Sequence, residues 1–246
     1  MDRAMYISMT GAVQNMSAQA VNANNLANAS TTGFQADLIQ AKSVPAQGPG
    51  LPTRVFSTLQ ANATDFSQGA FMQTGSDWDV AISGAGFIAV QMPDGSEAYT
   101  RAGNFKRNEF GELLSGSGLP VLGNAGPVAI PPNQKIGFGR EGTISVVEQG
   151  QGPAAITAFD RVKLVNPDVA ELTKGQDGLF RRSDGALEPA DGNVVISSGF
   201  LEASNVNVVD AMVEMISLTR NFEMNIKLIQ TVKQNSEASA QLLQAR

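Results

Sequence analysis

Apolar and small side chains recur every three or four residues at both ends of the chain and lose that period in between. From Met5 to about Asn28 they fall on Met5, Met9, Ala12, Val13, Met16, Ala20, Ala23 and Ala27. From Val208 to Leu243 they fall on Val208, Met212, Met215, Thr219, Phe222, Ile226, Ile229, Ala240 and Leu243. Such spacing predicts a helix with one apolar face at each terminus. The second helix has a clear start, because Asn207 is a good N-cap and Asp210 stands near the positive helix end. From Met212 to Ile229 its steps alternate three and four, the spacing of a coiled-coil seam, which weakens at Lys233 and Ser236.

The first helix has no charged residue from Ala4 to Ala36. Its polar face carries Gln14, Asn15, Ser17, Gln19, Asn22 and Asn24. Solvated helices usually carry charges and ion pairs there. Amides let a helix pack on several sides without burying a charge. Two readings stay open, a core helix of a monomer and a helix packed among neighbouring subunits.

Gly33, with Ser30, Thr31 and Thr32, suits a helix end followed by a turn. Pro45, Gly48, Pro49, Gly50 and Pro52 then mark a linker or extended arm. The middle reads as β structure. Strands are expected over Arg54–Gln60, Asp79–Ser83, Gly86–Met92, Glu97–Arg101, Thr143–Glu148, Ile156–Val165 and Val194–Leu201. Turn chemistry separates them, as in Pro93-Asp94-Gly95, Asn108-Glu109-Phe110-Gly111 and Asp191-Gly192-Asn193. The expected organisation is a helix over 1–33, a linker over 34–53, an antiparallel β domain over 54–201 and a helix over 202–246. The fold class is α+β, mainly β.

Composition narrows the function. A net charge of −6 argues against binding nucleic-acid phosphates. The chain has no Cys and no His, which removes the usual zinc ligands and the Cys–His and Ser–His–Asp relays. No catalytic residue, metal or cofactor is expected, and no small-molecule substrate. No apolar run reaches the length of a membrane span. Asp2, Arg3, Gln14 and Asn15 do not make a cleaved secretion signal.

Some residues invite other chemistry. Ser83-Gly84-Ala85-Gly86 continues into a strand-like run with Ala89 in place of a third glycine, so a tight turn is expected rather than a nucleotide loop. Asp77 with Asp79, and Asp184 with Asp191, sit beside glycines as turn acids do. Arg181-Arg182 reads as a solvated hairpin end, and Trp78 as partly buried in the β core.

The string Ala23-Asn24-Asn25-Leu26-Ala27-Asn28-Ala29-Ser30-Thr31-Thr32-Gly33-Phe34 resembles the N-terminal signature of the bacterial flagellar rod and hook proteins, the axial family. Three further strings resemble family motifs in the expected order: Asp79 to Phe87, Tyr99-Thr100-Arg101-Ala102-Gly103-Asn104-Phe105, and Gly199-Phe200-Leu201-Glu202-Ala203-Ser204-Asn205-Val206-Asn207. The opening Met1-Asp2-Arg3-Ala4-Met5-Tyr6 is most similar to the proximal-rod branch, since the distal-rod branch opens with an early Trp that this chain lacks.

The resemblance implies a structural subunit of the proximal rod in the flagellar basal body. The paired terminal helices would form an inner coiled-coil layer and the β domain an outer one. The helices would be disordered in the free subunit. Export would run through the flagellar type III apparatus without a cleaved signal, to a shaft crossing the periplasm. Its partners would be the other proximal-rod proteins, the distal rod and further copies of itself. The subunit interface would draw on Met9, Val13, Met16, Asn24, Asn25, Leu26, Asn28, Asn205, Asn207, Met212, Met215, Phe222, Ile226 and Ile229. For the asparagines, local capping within one chain is the competing role. Alternatives are a distal-rod or hook subunit and, from another class, a carbohydrate-binding adhesin with coiled-coil ends. An enzyme is the poorest option.

Overall fold

A computed structural model describes residues 2–45, 55–148 and 157–244. Helix α1 runs over Asp2–Ala27 and helix α2 over Val208–Gln244. Their 26 and 37 residues correspond to about 39 and 56 Å of axial length. The residues between them form antiparallel strands, so the fold is α+β and mainly β. The chain divides into two compact units.

The helical unit comprises the described residues of 1–29, 36–65 and 206–246. Here α1 and α2 pack on each other. Gly11 lies against Asn225, Gln19 against Thr219 and Asn22 against Ala211, so the two helices run antiparallel. Strands β1 (Asp37–Pro45) and β2 (Val55–Thr64) pair as a bulged antiparallel hairpin that packs on α1. This corrects two expectations. The segment 34–53 is no plain linker, because β1 occupies 37–45. Likewise β2 belongs with the helices rather than with the β domain. The Pro and Gly residues at 48–52 stand between two paired strands, and they lie outside the described residues.

The β unit comprises Ser30–Gln35 and Phe66–Asn205, omitting the undescribed stretch at 149–156. Its strands in chain order begin with β3 (Phe71–Gln73), β4 (Val80–Ser83), β5 (Phe87–Gln91) and β6 (Glu97–Thr100). Next come β7 (Lys106–Arg107), β8 (Leu113–Leu114), β9 (Asn133–Phe138), β10 (Thr143–Glu148), β11 (Thr157–Arg161) and β12 (Leu164–Val165). The last are β13 (Leu172–Lys174), β14 (Phe180–Arg182), β15 (Val195–Ser198) and β16 (Phe200–Glu202). The largest sheet has the order β12-β5-β6-β14-β13, and a second has β11-β10-β9.

Strand β5 shows why the sequence folds this way. Its unbroken apolar run Phe87-Ile88-Ala89-Val90 is buried on both faces, as such a run requires. Ile88 and Val90 join the main core with Val80, Ile82, Leu113, Val121, Ile144 and Ile196. Phe87 and Ala89 turn the other way, to a second cluster with Tyr99 and Phe180. Trp78 is partly buried against the main core, as expected.

The turn after β4 needs glycine twice. Gly84 and Gly86 have φ of 92° and 130°, and a β-carbon on Gly86 would lie 2.7 Å from Val194 Cγ1. Arg181 and Arg182 lie on β14 beside an exposed turn, and both are ion-paired. Arg181 pairs with Asp177, and Arg182 bridges Glu171 at 2.8 Å, Asp184 at 2.7 Å and Glu188. Asp191 accepts from the Asn193 backbone at 2.9 Å, a turn role. Among the described residues no acidic group forms a metal cluster, and no helix is long and apolar enough to cross a membrane.

Candidate subunit interface

The helical pair inverts the polarity expected of α1. Its amide face turns inward: Asn22 is buried and donates from Nδ2 to the Ala211 carbonyl at 2.7 Å, and Gln19 reaches Thr219. Gly11 and buried Ala12 let α2 approach closely on that side, where a β-carbon on Gly11 would meet Asn225 at 3.3 Å. Apart from buried Ala12 and half-buried Met5, the apolar stripe turns outward. Met9, Val13 and Met16 are 49, 55 and 57% exposed, and Tyr6 is 58% exposed. Ala20, Ala23 and Ala27 continue the same line and are also exposed. Positions 6, 9, 13, 16, 20, 23 and 27 thus step by three and four, the most regular heptad line on α1, and among the described residues nothing covers it.

On α2 the expected seam divides. Met215, Thr219, Phe222, Ile226 and Ile229 are half-buried along the side facing α1. Met212 lies off that side and is 50% exposed. A second apolar set, overlooked in the seam reading, is exposed with it: Val209, Val213, Ile216, Met224 and Leu228. Its spacing of four and three from Val209 to Ile216 was visible in the sequence. The terminal helices are therefore paired with each other in this structure. Each shields one face of the other and leaves an apolar face open, an arrangement seldom left uncovered on a solitary soluble domain.

The asparagines are engaged locally. Asn25 holds both backbone groups of Asp37, donating to its carbonyl and accepting from its N–H at 2.8 Å each, which fixes the start of β1 against α1. Asn28 donates from Nδ2 to the Asn24 carbonyl at 3.0 Å and closes the helix end. Leu26 is half-buried between them. Asn207 caps α2, accepting from the Val209 N–H at 3.1 Å and donating to Asp210 Oδ2 at 2.6 Å. In the β unit, Asn205 donates to the Ser67 carbonyl at 3.1 Å.

The motif strings also meet inside the β unit. The Gly33 N–H donates to the Glu202 carbonyl at 2.8 Å, and Thr32 Oγ1 donates to Asn104 Oδ1 at 3.4 Å. Beneath lies a buried ion pair, Arg101 Nε to Glu202 Oε2 at 3.3 Å. Arg101 also donates to the Gly84 carbonyl and lies over the Phe87 ring. Burial pushes the Glu202 carboxyl above the usual range, with the Arg101 charge pulling the other way. Sequence reading found both residues within motifs but did not pair them.

Three family models match the chain. One described as flagella basal body rod protein covers residues 5–35, one described as flagellar hook protein FlgE/F/G D1 domain covers 81–146, and one described as flagellar basal body rod FlgEFG protein C-terminal covers 197–242. The chain is 41% identical to the flagellar basal-body rod protein FlgF of Escherichia coli, over 99% of each chain. It is 40% identical to FlgF of Salmonella typhimurium over the same share. It is 34% identical to the rod protein FlgG of Buchnera aphidicola over 97% of this chain and 98% of that one.

Proposed function

This chain belongs to the flagellar basal-body rod protein family and is a structural subunit of that rod, and on that footing we propose that it builds the proximal rod through its paired terminal helices. The observation that carries this reading is the uncovered heptad line Tyr6, Met9, Val13 and Met16 on a helix free of charge from Ala4 to its end at Ala27. Such a face gains free energy only when another molecule covers it. Contacts between unlike faces that do not close into a ring give a helical filament. The open face of α2, with Met212, Val213 and Ile216, supplies an unlike apolar surface.

In this reading α1 and α2 of each copy stay paired through Met215, Phe222, Ile226 and Ile229 and form an inner coiled-coil layer. Met9, Val13, Met16 and Met212 meet neighbours: further copies, other proximal-rod proteins and the distal rod. Asn24, Asn25, Leu26, Asn28, Asn205 and Asn207 shape the ends of the helices. The subunit reaches the rod through the flagellar export apparatus.

The test is an epitope inserted at the exposed Asp94–Gly95 turn and read by electron microscopy of isolated basal bodies. Label at the proximal end of the rod is expected. Label confined to the distal rod or hook would transfer the chain to those branches, and unlabelled basal bodies would overturn the proposal.

A further inference from the structure

The chain passes between its two units four times, at 29/30, 35/36, 65/66 and 205/206. On the β side of those passages lie three short segments, 30–35, 66–70 and 202–205, and they are bonded to one another. Gly33 N–H reaches the Glu202 carbonyl at 2.8 Å, Asn205 N–H the Phe34 carbonyl at 3.3 Å, and Ala203 N–H the Ala70 carbonyl at 2.8 Å. Asn205 Nδ2 adds its bond to Ser67.

Glu202 is the common member. Its carbonyl takes Gly33, its Oε1 takes the Gly69 N–H at 3.0 Å, and its Oε2 faces Arg101 Nε at 3.3 Å. Both side chains of the pair are almost wholly buried, at 3 and 2% exposure. The approach is close enough to require glycine at two points. A β-carbon on Gly33, whose φ is 67°, would lie 2.4 Å from the Arg101 carbonyl carbon, and one on Gly69 would lie 1.9 Å from the Ala203 oxygen.

From this geometry we propose that the Arg101–Glu202 pair is a conformational latch. Closed, it ties the three segments into one cooperative knot on the β body. With one charge removed, the other is left buried without its partner, and the three segments loosen as a group while the β core stays folded. The latch works inside the single chain and does not depend on assembly.

Hydrogen exchange on the full chain, resolved by residue, tests it. In Glu202→Gln, which keeps an oxygen for Gly69, the amides of Gly33, Gly69, Ala203 and Asn205 should exchange about tenfold faster or more, while those of Ala89, Val121 and Val128 keep their rates. The double variant Arg101→Met/Glu202→Gln removes both charges and should recover most of the lost protection. Unchanged exchange in the single variant, or a double variant as fast as the single, would overturn the latch. If Glu202→Gln does not fold, the wild-type chain decides. With rising denaturant the four knot amides should share one opening, at lower denaturant than the core amides, and four independent openings would refute it.

Discussion

Val13→Asp separates the stability of the free subunit from its capacity to assemble. Val13 is 55% exposed, on the side of α1 turned away from α2. Valine and aspartate have similar helix propensities, and an exposed substitution usually changes stability by less than about 0.5 kcal/mol. The free chain should keep its circular dichroism and melt within about 2 °C of wild type. In the rod the balance reverses. Fully burying a valine is worth about 1.5 kcal/mol, so the exposed half forfeits roughly 0.8 kcal/mol when replaced. A carboxylate forced into an apolar interface without a partner adds several kcal/mol. A total of about 3 kcal/mol or more weakens each contact by a hundredfold or more. The assay is swimming in soft agar, with recovery of the subunit in isolated basal bodies, in cells whose only copy is the variant. Val13→Leu, which keeps the face apolar, should swim normally. Wild-type swimming and normal incorporation of Val13→Asp would refute the reasoning.

Three other predictions follow from the same structure. Ile226→Asp places a charge on the half-buried side of α2, so unlike Val13→Asp it should lower the melting temperature of the helical pair in the free chain, while the near-ultraviolet dichroism of the β unit persists. Asn22→Ala leaves the buried Ala211 carbonyl without its side-chain donor and should cost about 1 kcal/mol in denaturant unfolding of the helical unit. Burial raises the Tyr99 phenol from 10.0 to about 12, so the unfolded chain loses that proton first; the β unit should lose stability as pH rises between those values, and Tyr99→Phe should flatten the dependence in denaturant midpoints taken across that window.

Both helices were legible because a 3.6-residue period survives in a single sequence, and the Asn207 cap marks where α2 begins. The face of α1 that turns inward was not legible. Hydrophobicity alone places Met9, Val13 and Met16 inside, yet Asn22 and Gln19 can satisfy their own polar groups across a helix pair, which lets the amide side be buried. The β1–β2 hairpin was hidden by its own Pro and Gly residues, which punctuate a hairpin tip and a linker alike. Arg101 and Glu202 were conspicuous within their motifs, but their pairing brings the residue after β6 against β16, a long-range contact that local pattern does not encode. The glycines at 84 and 86 were read correctly because a tight turn into a strand has a strong local signature.

The chain has no native cysteine, so a single Val13→Cys gives one thiol on the open face of α1. Its rate of maleimide labelling, compared between the purified free subunit and intact isolated basal bodies, tests most directly whether that face is covered by other molecules. Fast labelling of the free subunit and strong protection in the basal body are expected. Equal labelling in both would contradict assembly through this surface.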